Sequence, residues 1–242
     1  VVGVQGSSST SNPKIDITAS YEGLEGTTVT VYSGDIDVAA SDDGVNAANS
    51  TLGERSDKYA ISIAGGDLYI DAGSDGLDSN NDINITGGTV EVYGADAMMD
   101  AAIDYDGTFT LSGGTLFGAG MEPGAGTQAY VAVGETSPSG GHGGMGGGQG
   151  MTRPDKTDGS TMTPPDGQQS GTRPEKPSGD KNGWTGGKGQ SANRESALGI
   201  KEGSVITVQD SSGKTLYTAT ALGSMSSVIF SSADIKEGET YT

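Results

Sequence analysis

The chain contains no cysteine, a single histidine, a single tryptophan and only 13 basic residues among 242. The absence of cysteine rules out a disulfide framework. Small secreted folds often need one; a long solenoid with a continuous core does not, so the compartment stays open. The lone His142 lies in a glycine-rich run, where it is a poor zinc ligand and cannot support a Ser-His-Asp triad. That run, residues 140–150, also lacks the Lys-Ser/Thr of a phosphate-binding loop. No stretch of about 20 apolar residues is present, which excludes a transmembrane helix. Val1 stands amid polar text and Thr242 follows a strand-like stretch, so the chain reads as a fragment with no visible leader or anchor. Apolar residues make up 32% of the chain, too few for a thick sandwich or a doubly wound sheet.

Acid and glycine are abundant instead. The net charge is -19, and glycine occurs 43 times without a strict G-X-Y period, which excludes collagen. Residues 1–133 hold 20 acids against Lys14, Arg55 and Lys58, a net of -17. Such a surface repels nucleic acid and anionic lipid and attracts cations. Residues 134–195 are neutral, with seven acids and seven bases, and carry 17 glycines and six prolines. That composition cannot offset chain entropy by burial, and it reads as a flexible insertion or linker that contains Trp184.

The first part repeats a phrase: two alternating apolar residues, a glycine turn, two more alternating apolar residues, then an acidic corner. The clearest copies are Val29/Val31–Gly34–Ile36/Val38–Asp42-Asp43-Gly44-Val45-Asn46 and Ile61/Ile63–Gly66–Leu68/Ile70–Asp75-Gly76-Leu77-Asp78. Ile83/Ile85–Gly88–Val90/Val92 and Phe109/Leu111–Gly114–Leu116/Phe117 follow, and Ile15/Ile17–Glu22-Gly23-Leu24-Glu25 precedes them. The glycines at 34, 66, 88 and 114 are 32, 22 and 26 residues apart. A basic coil of about 22 residues with insertions near Leu52–Lys58 and Ala101–Asp106 accounts for these spacings. Period-two apolar pairs place both side chains on one face of a strand. A glycine bends the chain where φ is positive. Stacked coils bury a core that no single coil could bury. The expected fold is therefore all-β: a right-handed, single-stranded parallel β-helix over residues 1–133. A small C-terminal β segment over 196–242 is expected to pair with or cap it, with Leu198, Val205, Leu216, Leu222 and Phe230 as its core. An antiparallel sandwich of hairpins is the competing architecture, but it gives no reason for the acidic phrase to recur at one phase.

In vertical register, the acids form two rows. One row holds Glu22, Asp43, Asp75 and Asp96; the other holds Glu25, Asn46, Asp78 and Asp100. Neighbours about 5 Å apart repel unless a cation sits between them. Calcium suits such an all-oxygen set. The strongest expected cluster joins Asp42, Asp43 and Asn46 to Asp75 and Asp78, with Glu22 and Glu25 facing it. A weaker one groups Asp96, Asp100, Asp104 and Asp106. The alternative is a set of solvated turn acids. No linear EF-hand loop occurs.

The phrases Ser20-Tyr21-Glu22-Gly23-Leu24-Glu25-Gly26, Ser41-Asp42-Asp43-Gly44-Val45-Asn46-Ala47 and Ala102-Ile103-Asp104-Tyr105-Asp106-Gly107, with Leu111-Ser112-Gly113-Gly114, carry a resemblance. They resemble a bacterial family of secreted carbohydrate-binding β-helix proteins, once a domain of unknown function, with a clostridial member that binds cellulose and acidic sugars. The tail Val228–Ser232 and Lys236–Tyr241 is similar to that family's ending. The resemblance implies a polysaccharide-lyase-like fold, bound calcium at the acidic corners, affinity for plant cell-wall polymers, and export or cell-surface attachment. The chain departs from the pattern at Ala97-Met98-Met99 and lacks earlier coils. Tyr21, Tyr59 and Tyr105 are the expected sugar contacts, and Tyr32, Tyr69 and Tyr93 further candidates. Non-catalytic binding leads. A calcium-dependent lyase would need a base, for which only Lys58 and Arg55 stand near the acids. A carboxylate-pair hydrolase and a structural or adhesive role stay open, as does the oligomeric state.

Overall fold

A computed structural model describes residues 1–5, 13–48, 57–95, 101–119, 128–134 and 198–242. Arg55, Asp96, Asp100, His142 and Trp184 lie outside these residues, as does nearly all of the Gly/Pro-rich stretch. The elements are β1 (Lys14–Ser20), β2 (Leu24–Gly26), β3 (Thr28–Val31), β4 (Asp35–Ala40), β5 (Val45–Ala47), β6 (Ala60–Ala72) and β7 (Leu77–Ser79). They continue as β8 (Asp82–Tyr93), β9 (Ile103–Tyr105), β10 (Phe109–Gly118), β11 (Tyr130–Gly134), β12 (Val205–Gln209), β13 (Thr215–Thr220) and β14 (Ser227–Ser231). Among the described residues, no helix is long and apolar enough to cross a membrane.

The strands coil. Each pairs in parallel with the strand one coil on, through β1-β4-β6-β8-β10 along one sheet and β2-β5-β7-β9 along a second. β3 joins the first half of β6. The fold is a parallel β-solenoid, and the hairpin sandwich is excluded. Three walls enclose the core. On the first, Val29, Ile61, Ile83 and Phe109 stand in one file. On the second, Ile15, Ile36, Leu68, Val90 and Leu116 do. On the third, Leu24, Val45, Leu77 and Ile103 do. Apart from half-buried Ile15 and Leu24 in the first coil, these side chains are at most 7% exposed. One continuous apolar column therefore replaces the core a single coil lacks.

The bend between the first two walls lies inside the long strands. β6, β8 and β10 run through it, and their registers slip beside the glycine pairs. Gly66, Gly88 and Gly114 have φ of 94°, 86° and 81°. A Cβ on Gly88 would lie 2.5 Å from the Gly66 carbonyl oxygen, and one on Gly114 would lie 2.6 Å from that of Gly88. Each bend thus rests on the backbone of the bend below. Only glycine meets both demands, the left-handed φ and the missing side chain.

The last coil is closed by strands of opposite direction. β14 runs antiparallel to both β10 and β11, with Phe230 opposite Phe117 and Val131. Gln128 Nε2 donates to the Gly114 carbonyl at 3.1 Å and to Ser231 Oγ at 2.8 Å. The hairpin β12–β13 packs over the outer face of the second wall, where Tyr93, Phe117, Val208, Ala219, Met225 and Phe230 share an apolar cluster. Tyr217 stacks between Phe117 and Phe230, at 5.3 and 5.0 Å. The hydroxyls of Tyr93 and Tyr217 each donate to the Glu91 carboxylate at 2.6 Å. Burial, and then the Glu91 charge, raise both tyrosines, so they stay protonated donors. Of the expected C-terminal core residues, Phe230 is buried and Leu216 and Leu222 are partly buried. Val205 is 53% exposed, because alternation on a two-stranded ribbon leaves one face in water.

Gly88→Ala is expected to cost ~3 kcal/mol in urea unfolding, since it strains φ and strikes the coil below. Gly223, which has nothing within 4 Å of a Cβ, should tolerate alanine within ~0.5 kcal/mol. Equal losses at the two positions would refute the close-stacking account.

Candidate cation site at the acidic corner

The third wall is made of three-residue strands, so its flanking turns stack as closely as the strands do. Register puts Glu25, Asn46, Asp78 and Asp104 in one file. The first three are the expected members, but the fourth is Asp104, where the repeat phrase suggested Asp100. The backbone explains the shift. Gly23, Gly44 and Gly76 donate their amides to Asp43, Asp75 and Ala101 of the following coils. The corner of the fourth coil is therefore Ala101-Ala102-Ile103-Asp104. The other file runs Glu22, Asp43, Asp75, Ala101; Asp96 lies outside the described residues. Alanines at 101 and 102 erase the Asp-Gly signal by which the earlier corners are recognised; the Ile103-Asp104 pair, matching Leu77-Asp78, is the surviving trace.

Carboxylates hold this corner together. Asp43 Oδ1 accepts the Asp75 amide at 3.1 Å, and Asp75 Oδ1 accepts the Ala101 amide at 2.6 Å. Each aspartate thus ties its coil to the next. Asn46 Nδ2 donates to Asp43 Oδ2 at 2.9 Å and to Glu22 Oε2 at 3.3 Å. The acids gather in two trios, Glu22–Asp42–Asp43 and Asp75–Asp78–Asp104; within each, carboxylate oxygens lie within 4.8 Å of one another. The tight groupings are these two trios, and Asp43 links them across the coils by accepting the Asp75 amide and by its charge on Asp78. Glu25 is exposed and belongs to neither trio. Asp106 acts on Asp78 through its charge but stands outside the trio.

Each trio has one buried member, Asp43 or Asp75, and two half-buried ones. Asp75 is 8% exposed, and burial, with the charges of Asp78, Asp104 and Asp43, pushes its carboxyl up to about 8. Asp78 is pushed to about 7 by burial and then by Asp43 and Asp104. Glu22 is raised by burial and then by Asp43. The charges acting most strongly on Asp75 and Asp78 are all carboxylates. Carboxyls in such surroundings favour a bound proton or a bound cation. Asn46 adds a test of fit: its Oδ1 is buried and accepts no hydrogen bond, although Nδ2 is doubly engaged. A buried, unmatched carbonyl oxygen beside carboxylates is a donor set for a hard cation. Both trios can hold a metal ion.

The tyrosines divide. Tyr21 is 65% exposed next to Glu22. Tyr59 and Tyr105 are 2% and 4% exposed, so neither presents a ring to a polymer, which corrects their expected role. Both fall on inward positions of the coil, and Tyr105 packs edge-on against Phe109 at 5.7 Å. Lys58 sits in the exposed turn before β6, where its carbonyl accepts the Thr28 hydroxyl at 3.1 Å. Glu91, held by two tyrosine hydroxyls, escaped the reading of the sequence because its partner Tyr217 comes from the C-terminal hairpin.

These features define a parallel β-solenoid with a carboxylate-lined edge. A family model described as "Carbohydrate-binding domain-containing protein" matches residues 5–240, and the chain belongs to that family. No curated protein and no solved structure matches it.

The raised carboxyls fix the sign of a pH effect. In the unfolded chain, Asp75 and Asp78 titrate near 3.8; in the folded chain, near 8 and 7. Between these values the native state holds more protons, so ion-free protein loses stability as pH rises from about 4 to about 8. The melting temperature of chelator-treated protein should fall across this window, and Asp78→Asn should flatten the fall. A melting temperature that climbs with pH there would contradict the burial of the trio.

Proposed function

We propose that the protein is a non-catalytic, calcium-dependent binder of plant cell-wall polysaccharide, cellulose or acidic polymers such as polygalacturonate, with the acidic polymers held through the corner. The observation that carries this reading is the Asp75–Asp78–Asp104 trio, with Asp75 buried, its other members half-buried and carboxylates the charges that act on it, and with the unmatched Asn46 oxygen on the neighbouring strand in register with Asp78. Calcium takes six to eight oxygens in a flexible shell. Asp75, Asp78 and Asp104 would hold it at one trio, and Glu22, Asp42 and Asp43 at the other, with Asn46, bonded to Glu22 and Asp43 and in register with Asp78, adding its unmatched oxygen. When bound, the ion supplies positive charge that a uronate carboxylate can share. The protein's own acids set that charge in a straight file, and exposed Tyr21 stands at one end of it. Without the ion, a chain of net charge -19 repels an acidic polymer. Export or surface attachment accompanies this reading, because extracellular calcium sites work at about 10⁻⁴ to 10⁻³ M.

A lyase reading requires a base at the bound sugar. Lys58 is the described candidate, and its turn belongs to the start of the first wall, on the far side of β5 along the chain. Binding without turnover needs only the acids and the ion.

Calorimetry on chelator-treated protein should show calcium binding well ahead of magnesium, with a rise in melting temperature. Calcium should also restore retention on a polygalacturonate column, and the paired change Asp78→Asn/Asp104→Asn should abolish both effects. Calcium-independent retention would overturn the reading, and unsaturated uronate products would replace it with the lyase.

A further inference from the structure

One position in the acidic files breaks the pattern. In the file Glu25, Asn46, Asp78, Asp104, three members are carboxylates and one is an amide. Coil for coil, Asp43-Gly44-Val45-Asn46 corresponds to Asp75-Gly76-Leu77-Asp78. Asp78 belongs to the second trio, whereas its counterpart Asn46 meets the first trio with an amide. Asn46 is 7% exposed, so water does not make up what its partners leave out.

The way Asn46 is held is one-sided. Nδ2 donates to Asp43 Oδ2 at 2.9 Å and to Glu22 Oε2 at 3.3 Å, which uses both of its donors. Oδ1 is buried and accepts nothing. The carboxylates dictate this orientation. Ionised carboxylates only accept, so the NH2 end must face them, and a carbonyl oxygen in its place would be repelled. The amide thus puts the positive end of a dipole between Glu22 and Asp43, as a cation would, and it leaves Oδ1 unmatched. In the second trio, Asp75 and Asp104 accept backbone amides instead, from Ala101 and Tyr105 at 2.6 and 2.8 Å. Backbone donors are fixed by the coil; the Asn46 amide can turn.

We propose that Asn46 is a two-position switch operated by the ion. In the ion-free chain its nitrogen bridges Glu22 and Asp43. When the Glu22–Asp42–Asp43 trio takes calcium, the side-chain amide turns over and Oδ1 joins the ligand set. The inference rests on the calcium reading of the corner and adds its regulation. One group suits both states because the two ends of an amide have nearly the same shape and opposite polarity. A half-turn about the terminal side-chain bond, a soft torsion, exchanges them. The backbone ties between the first two coils stay as they are: Gly23 donates to Asp43 and Asp42 to Tyr21, each at 2.9 Å. The first trio can therefore load and unload with the coil stack intact. The oxygen left over in the ion-free corner is the part that the loaded corner uses. The two trios then differ in kind: the first carries its own substitute for the ion, and the second has a carboxylate, Asp78, at the equivalent position.

The test uses the full chain, freed of metal by chelator, with calcium alone as the probe in calorimetry. Asn46→Asp keeps an oxygen, loses the donor and copies Asp78. It should bind calcium at least as tightly as wild type, yet melt lower in chelator. Asn46→Ala loses both ends of the amide and should weaken one of the calcium ions about tenfold, or about 1.4 kcal/mol. A side chain that only donates to the acids would compete with the ion, so its removal would leave calcium binding unchanged or tighten it; that result would overturn the switch. The second readout needs no variant. In a structure of calcium-soaked wild type, Asn46 Oδ1 should lie about 2.3–2.6 Å from the ion, with Nδ2 released from Glu22 and Asp43. Calcium in the trio with both Nδ2 bonds retained would overturn the switch and leave the corner reading standing. Wild type that takes up no calcium would sink the corner reading, and the switch with it.

Discussion

Everything in this molecule hangs on one coil lying squarely on the next. The parallel ladder sets the vertical step, but glycine makes the contact possible. Gly66 rests on the coil of Gly34, Gly88 on that of Gly66, and Gly114 on that of Gly88. A side chain at any of these bends would lift one coil off its neighbour. The apolar files and the carboxylate files inherit their alignment from this contact. The core and the acidic edge are thus two products of one constraint, read on the inside and the outside of the same turns.

That constraint opposes the charges it aligns. Burial first, and then repulsion among carboxylates gathered within 4.8 Å, raises Asp75 and Asp78. Part of the cost is offset locally, by backbone amides donated to Asp43 and Asp75 and by the Asn46 amide. The two backbone-amide bonds run between coils, so the same groups that strain the edge also splice it. A cation would complete an arrangement in which the backbone has already fixed the carboxylates.

Legibility in the sequence follows the same division. Period-two apolar pairs and glycine bends are local signals, and they revealed the coils, the positive-φ glycines and the first three corners. The fourth corner was hidden, because Ala101-Ala102 stands where Asp-Gly stands elsewhere, and register moved the site from Asp100 to Asp104. Tyr59 and Tyr105 were misplaced because a tyrosine's inward or outward direction depends on phase within a short strand, where a shift of one residue reverses it. The Glu91 clamp was invisible, since its donors Tyr93 and Tyr217 are more than a hundred positions apart. Tertiary partners of that separation leave no local trace.

The closing strands have an implication for how this family could diversify. β11 ends at Gly134 opposite Ser227 of β14, and a side chain on Gly134 would touch Leu198. Gly134 and Leu198 are therefore close neighbours, although 64 positions separate them in the chain. For a connection between two such neighbouring points, closure entropy grows only with the logarithm of its length, about 0.6 kcal/mol for each doubling. A change in the length of chain that joins these two points therefore carries a small closure cost. The spot is a natural port for grafting.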